Sequence, residues 1–379
     1  MVFLKLLILR LIKLNQRYPG LVALFGFLSG VASFLLVERK ESLAQIIALI
    51  MLAGWIWLML ENTLRAGLLR RFGLEMPPSV MRYATQMVHQ ESLFFALPFF
   101  FAVTTWGHGQ VLFTGLLLVC ALVSIVDPIY YKQLAPRRAL FVVFHALALF
   151  AVLLVALPLL LHLTSGQSMA IALLVSLLLS LPTLGRIFPD GHWWRLPLTG
   201  LLLIALAGGL WQVRSLVPPA ALRLSDIALS QEMDRESRSP GSSITTIDEE
   251  SLLRDGLYAW TAVRAPRGLR EKIHHVWMHE GVEVDRITLD ISGGREEGYR
   301  AWTQKINFPS KTAGHWQINV VTDADQLIGL IRFTVSKTDG PASEPLSGHD
   351  SRLLYRPQTA HEDHGEALEQ ELDSHQGAE

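Results

Sequence analysis

Cysteine is nearly absent from this chain. The 379 residues include one, Cys120, so no intrachain disulfide can form and every folded part must be held by packing. Its position inside an apolar run reads as a small core residue. Charge is also scarce, with 18% of residues charged against 50% hydrophobic, and the formal net charge is −1. No global field favours nucleic acid or an acidic partner. Three motifs are missing as well: a His-Glu-x-x-His metal pattern, a glycine-rich phosphate loop and a Gly-x-Ser-x-Gly elbow. The sequence therefore names no cofactor, no metal and no catalytic residue.

Hydrocarbon is abundant, and it is concentrated before about Val213. A helix needs roughly 20 mostly apolar residues to cross about 30 Å of hydrocarbon. The runs Gly20–Val37, Leu43–Leu60, Ser92–Trp106, Gln110–Val126, Ala139–Leu163, Ser168–Leu184 and Leu196–Val213 predict an α-helical polytopic membrane domain of about seven transmembrane helices. Ser92–Trp106 is short and carries Pro98, so the side on which every later loop falls depends on it. Pro158, Pro182 and Pro197 mark further breaks, which read as kinks because no matched pair of broken helices suggests an inverted repeat.

Short cytoplasmic loops accumulate Lys and Arg. With the N-terminus inside, the inside segments hold Lys5, Arg10, Lys13, Arg17, Arg65, Arg70, Arg71, Arg82, Lys132, Arg137, Arg138, Arg186 and Arg195, while the outside loops hold Arg39 and Lys40. This asymmetry predicts a cytoplasmic N-terminus and an extracytoplasmic C-terminal part. Residues 1–19 place Lys5, Arg10, Lys13 and Arg17 on one helical face, as in a basic amphipathic segment lying on anionic headgroups.

Ionisable groups at membrane depth are costly and need a reason. Glu61, His89, Glu91, Asp127 and His145 fall near the cytoplasmic ends of the second to fifth expected spans, with His162 toward the other side. The first five could converge into a proton relay or a metal site, or simply cap spans at the water interface, with Asp127-Pro128 as a stop signal.

From residue 216 to 337 the pattern changes to short alternating runs. Trp316, Ile318 and Val320 share one strand face, as do Ile287, Leu289 and Ile291, and Ile331, Phe333 and Val335. About seven or eight strands are expected between Leu222 and Val335, enough for a small all-β sandwich-like domain. The turns Ser239-Pro240-Gly241, Pro266-Arg267-Gly268, Glu280-Gly281, Ser292-Gly293-Gly294 and Asp323-Ala324-Asp325 separate them. Ser292–Gly298 reads as a solvated hairpin end or a binding lip. Residues two apart share a face, which sets His275 beside Trp277 and Arg300 beside Trp302, near Lys305 and Trp316. Exposed, these would suit a glycan or an anionic polymer; buried, they are core with a cation–π contact.

The run His275-x-Trp277, Arg300-x-Trp302-Thr303-x-Lys305, Gly314-x-Trp316-x-Ile318-x-Val320 and Gly329-x-Ile331-x-Phe333-x-Val335 resembles the bacterial domain of unknown function 2914. The stretch Ser29–Glu61 and the layout around it resemble the membrane region of unknown function 5924. The resemblance implies a bacterial inner-membrane protein with a periplasmic domain, and it carries no activity. Beyond Lys337, residues 338–379 hold ten acidic residues against Arg352 and Arg356, the composition of a disordered acidic tail; His349, His361, His364 and His375 there could bind a metal loosely or stay solvated.

Two functions follow as expectations. In the first, the periplasmic β-domain of a bilayer-anchored protein binds an envelope component, whether glycan, lipid headgroup or protein partner. In the second, a transporter or membrane-embedded enzyme uses Glu61, His89, Glu91, Asp127 and His145. A sensor is weaker, because only short cytoplasmic loops are available to carry an output.

Overall fold

The computed structural model describes residues 28, 41–72, 78–184 and 194–337, with the side chains of 41, 43, 61–81, 181–184, 195 and 196 outside that set. The basic segment 1–19, the first expected span apart from Leu28, and the tail 338–379 lie outside the described residues.

Among the described residues, six helices of four turns or more precede the strands. They are α1 (Glu41–Phe72), α2 (Pro78–Val103), α3 (Gln110–Ile125), α5 (Arg138–Leu161), α6 (Ser165–Leu184) and α7 (Arg195–Gln212), with a single turn, α4 (Asp127–Ile129), running into a π-turn at Tyr130–Leu134, and α8 (Glu249–Asp255) lying later among the strands.

The expectation of about seven transmembrane helices is overturned. Among the described residues one helix, Arg138–Leu161, is long and apolar enough to cross a membrane, or two spans result if the bent pair Gln110–Ile125 and Asp127–Leu134 is counted as one. Counting apolar runs fails for three physical reasons. Ser92–Trp106 is absorbed into α2 as far as Val103, and the first half of that helix is polar. The 16-residue α3 ends at Val126, whose backbone is extended, and Pro128 stands in the first turn of the short helix that follows, where proline is tolerated; the chain bends there by 95°. The apolar stretches Ala44–Leu60, Ser165–Ser180 and Pro197–Gln212 reach 17 residues at most, about 26 Å at 1.5 Å per residue. The N-terminal region is helical without being a polytopic bundle.

These helices share one core. Trp55 from α1, Phe95 and Phe100 from α2, Leu117 from α3, Tyr130, the run Ala148–Ala156 from α5 and Met169 from α6 are buried together. Neighbours run antiparallel: Gln86 at the start of α2 donates to the Ser124 carbonyl at the end of α3 (3.0 Å), and Gln45 at the start of α1 donates to the Leu159 carbonyl at the end of α5 (3.1 Å).

The β-rich domain has ten strands in three sheets. They are β1 (Arg223–Ser230), β2 (Met233–Asp234), β3 (Ser239–Pro240), β4 (Thr246–Asp248), β5 (Leu257–Arg264), β6 (Arg270–His279), β7 (Val282–Ser292), β8 (Tyr299–Lys305), β9 (Gly314–Thr322) and β10 (Leu327–Ser336). One sheet has the order β1-β5-β8, the second β4-β10-β9-β6-β7, and β2 and β3 form a separate ribbon. All pairs are antiparallel except β4 with β10. Alternation supplies each sheet with an inner face. Leu229, Leu257 and Ala259 of the first sheet meet Trp277, Trp316, Ile318, Phe333 and Val335 of the second, and Val263 meets Ile273, Ile291 and Val320. Burial of these side chains, each contributing roughly 1.5–3 kcal/mol, holds the two sheets face to face without a disulfide.

The helical part and the β-rich domain belong to one compact unit. Gln110 donates to the Leu327 carbonyl (2.8 Å), Gln326 donates to the Val217 carbonyl (3.0 Å), and Arg214 donates to the Ala324 carbonyl and to Asp325 (both 2.8 Å). Gly166 lets α6 approach closely, since a Cβ there would stand 3.2 Å from the Ala324 Cβ.

Candidate functional site

The six expected ligand-binding residues of the β-rich domain do not converge. Trp277 and Trp316 are fully buried between the sheets, each packed edge-on to Phe308, and Trp316 stacks on His279 at 4.5 Å. No ligand reaches them without opening the core. His275 is equally buried and ties the two sheets together, its Nδ1 2.9 Å from the Thr303 hydroxyl and its Nε2 3.1 Å from that of Thr261. Burial pushes its pKa down to about 3, so it is a neutral strut. Lys305 also points inward, pairing with Asp285 and lying 5.5 Å over the Phe308 ring.

Arg300 and Trp302 occupy the other face of β8. The guanidinium does not stack on Trp302 as the spacing suggested; it donates to Glu297 (2.8 Å) and to the Ser237 carbonyl (3.1 Å). Trp302 packs against Ala228, Trp260 and Ala262, and Trp260 donates its indole N–H to the Arg238 carbonyl at 2.9 Å. The short ribbon therefore covers this face. Ser292–Gly298 is pinned as well, since Gly293 donates to the Leu269 carbonyl and Gly294 to that of Ala265. A Cβ on Gly293 would fall 1.9 Å from the Pro266 oxygen, which is why glycine stands there.

Of the five polar candidates in the helical part, two meet directly. His89 of α2, fully buried, sits with Nε2 2.8 Å from His145 Nδ1 of α5 and Nδ1 2.8 Å from the Tyr130 hydroxyl. Trp55 packs edge-on to His145 at 4.7 Å and donates to Ser92 at 2.8 Å. One turn before His89, Gln86 donates to Asp127 at 2.7 Å and accepts from the Tyr131 hydroxyl at 2.5 Å. Asp127 thus joins the neighbourhood through Gln86, and it is itself exposed. Glu91 is half-buried on α2 outside these bonds, and the side chain of Glu61 lies outside the described residues. No group of three His, Cys, Asp or Glu able to hold a metal occurs among the described residues. Tyr130 and Gln86 carried no signal in the sequence, since neither is charged and the π-turn that presents Tyr130 has no motif.

Two cavities flank α6. One, of about 480 Å³, is almost wholly apolar and opens between α3, α5, α6 and α7, with Leu116, Val143, Leu147, Leu173, Leu177, Leu206 and Leu210 among its lining residues. Met169, Leu173, Ser176 and Ser180 recur at three- and four-residue spacing and so face it from one side of α6. The other, of about 770 Å³, lies at the junction with the β-rich domain and has a mixed lining that carries charged side chains, with Thr164, Gln167, Trp211, Arg270, Glu271, Lys272, Asp290, Ile291 and Asp323 among its residues. Glu271 is 3% exposed. Burial, offset in part by hydrogen bonds from Ser165, raises its pKa to about 7.

Two family models match the chain, in the order the sequence resemblance implied. A family of unknown function (DUF5924) matches residues 1–259, and a protein family of unknown function (DUF2914) matches residues 270–335. No curated protein matches. The boundary between the two matches falls inside the β-rich domain: the first ends within β5, at its third residue, and the second begins with β6.

Proposed function

From the premise that this chain belongs to the family of unknown function DUF5924, we propose a non-catalytic, membrane-associated protein of the bacterial envelope that binds an amphiphile. Its helical part is embedded in the inner membrane and receives hydrocarbon in the apolar groove between α3, α5, α6 and α7. Its β-rich domain stands on the periplasmic side and closes the polar end.

The observation that carries this reading is the groove together with the apolar surface around it. Leu112 and Ile204 are 70% and 71% exposed, and Val143 and Leu201 both 62%. An apolar patch of this kind on a water-facing surface is a liability, whereas in lipid it is solvated. The side assignment has support that does not depend on counting spans. The β-rich domain contacts Gln110, Ser165 and Arg214 at one end of the helices, while Arg82, Lys132, Arg137 and Arg138 belong to the opposite end, beside Asp127. Basic residues collect on the cytoplasmic face.

The test is extraction and mass spectrometry of lipid held by the full chain purified in mild detergent. Wild type is expected to retain an acyl-chain lipid at close to one per protein. Leu173→Trp with Leu147→Trp, which fill the groove, should lower that by about ten-fold. Equal retention in the filled variant would remove the groove from the argument.

A further inference from the structure

We propose that the cavity where α6 and α7 meet the β-rich domain reads the headgroup of the bound amphiphile, and that this headgroup joins a phosphate to a primary ammonium, as in phosphatidylethanolamine. The inference rests on the lipid reading above and adds the chemistry of the polar end. Glu271 is the observation that carries it. Its side chain is buried and lines the cavity, and Ser165 engages Oε2 alone. Among the described residues Oε1 has no hydrogen bond, and it is not sealed from the cavity. A buried carboxylate therefore keeps one oxygen for whatever occupies that space.

The cavity has a side for each charge. Burial is the main reason the Glu271 carboxyl resists ionising, and the charge of Asp323 adds to it. Asp323 is held there by its own N–H, which donates to the Lys272 carbonyl at 3.2 Å, and by His274 Nε2 at 3.2 Å from Oδ1, so Oδ2 is left over. Two neighbouring carboxylates, one of them desolvated, favour a cation between them. Among the described residues no group of three His, Cys, Asp or Glu is placed to hold a metal, whereas an ammonium brings three N–H donors of its own. Arg270 and Lys272 leave β6 on the side opposite to Glu271 and line the same cavity. Neither makes an ion pair among the described residues, although Asp290 stands opposite Lys272 in the register. A free guanidinium beside a free ammonium suits a phosphate.

The same two helices carry the acyl-chain groove. Gly166 of α6 lines the charged cavity and Met169, one turn further, lines the groove; on α7 Trp211 lines the first, while Leu210 and Val213 line the second. One turn advances about 5 Å, the scale of the glycerol linker between a lipid headgroup and its acyl chains.

The full chain is purified in mild detergent, delipidated and incubated with an equimolar mixture of phosphatidylethanolamine, phosphatidylcholine and phosphatidylglycerol of identical acyl chains, and the retained lipids are counted by mass spectrometry. Phosphatidylcholine keeps the phosphate but its quaternary ammonium offers no N–H; phosphatidylglycerol keeps the phosphate without a cation. Wild type is expected to hold phosphatidylethanolamine over either by about ten-fold. Glu271→Gln, which keeps an oxygen for Ser165, should bring the three close to equality, and Asp323→Asn must reduce the preference if the first variant does not fold. Arg270→Gln with Lys272→Gln should lower all three together. Glycerophosphoethanolamine in excess, the same headgroup without acyl chains, should not displace the lipid; displacement would assign the cavity to a free solute. Lipid held by wild type without preference, or a preference that survives in Glu271→Gln, overturns the headgroup site and leaves the groove standing. Wild type that retains no lipid overturns the groove reading and this inference with it.

Discussion

Glu271 of β6 accepts both the backbone N–H and the hydroxyl of Ser165, the first residue of α6, at 2.7 and 3.1 Å. A carboxylate from the β-rich domain thereby satisfies donors at a helix start that would otherwise be orphaned. The same contact joins two parts of the chain whose cores are separate.

That contact makes the junction sensitive to pH. The Glu271 pKa is raised from 4.5 to about 7, so the folded chain keeps a proton that the unfolded chain has lost. Stability from this group is full below about 4.5 and is lost as pH rises through 7, amounting to roughly 3 kcal/mol at most. Thermal melting of the full chain should fall across that window, and Glu271→Gln, which keeps an oxygen for Ser165, should flatten the fall. A variant with the wild-type slope would assign the effect to another group.

His275 acts in the opposite direction. Its pKa is lowered from 6.5 to about 3 by burial, so the unfolded chain takes up a proton that the folded chain refuses. Its contribution is full above about 6.5 and is lost as pH falls toward 3. His275→Leu removes this acid sensitivity but strands the Thr303 hydroxyl and leaves Thr261 with only the Ala301 carbonyl, at a cost of about 1–3 kcal/mol at neutral pH. Denaturant melts at two pH values separate the effects.

The tryptophans should sort by position and not by chemistry. Trp277→Ala and Trp316→Ala leave cavities between the sheets and should cost about 3–5 kcal/mol. Trp302→Ala, on the half-exposed outer face, should cost about 1 kcal/mol. Equal losses at all three in chemical denaturation would contradict the burial difference.

Much of the β-rich domain was legible because a strand writes its buried face as a period of two. Trp316, Ile318 and Val320 are all buried, and Phe333 and Val335 follow the same rule. Period alone does not say which side faces a partner sheet, and for that reason Arg300 and Trp302 seemed neighbours of the inner tryptophans. The helical part was read less well. An apolar run reports composition, whereas a span also needs length and straightness; α3 stops short at Val126 and α2 begins well before its apolar run. His89 and His145 were visible as costly residues, yet the contact between them joins positions 56 apart in sequence, and Ser165 with Glu271 joins positions 106 apart. Neither pairing has a local signature.

The sheet order β1-β5-β8 has a consequence for where the chain can be cut. Residues 270–335, matched as one family, contribute β8 to that sheet but neither its neighbour β5 nor β1 beyond it. Cut out alone, the segment would bare Trp277 and Ile318 and leave β8 with no neighbour to pair with. In this protein the other two strands of the sheet lie outside that segment: β1 falls within the stretch matched by the other family, and β5 straddles its end. A cut between the two matched stretches would separate Leu257 and Ala259 from Trp277 and Trp316, which they pack against.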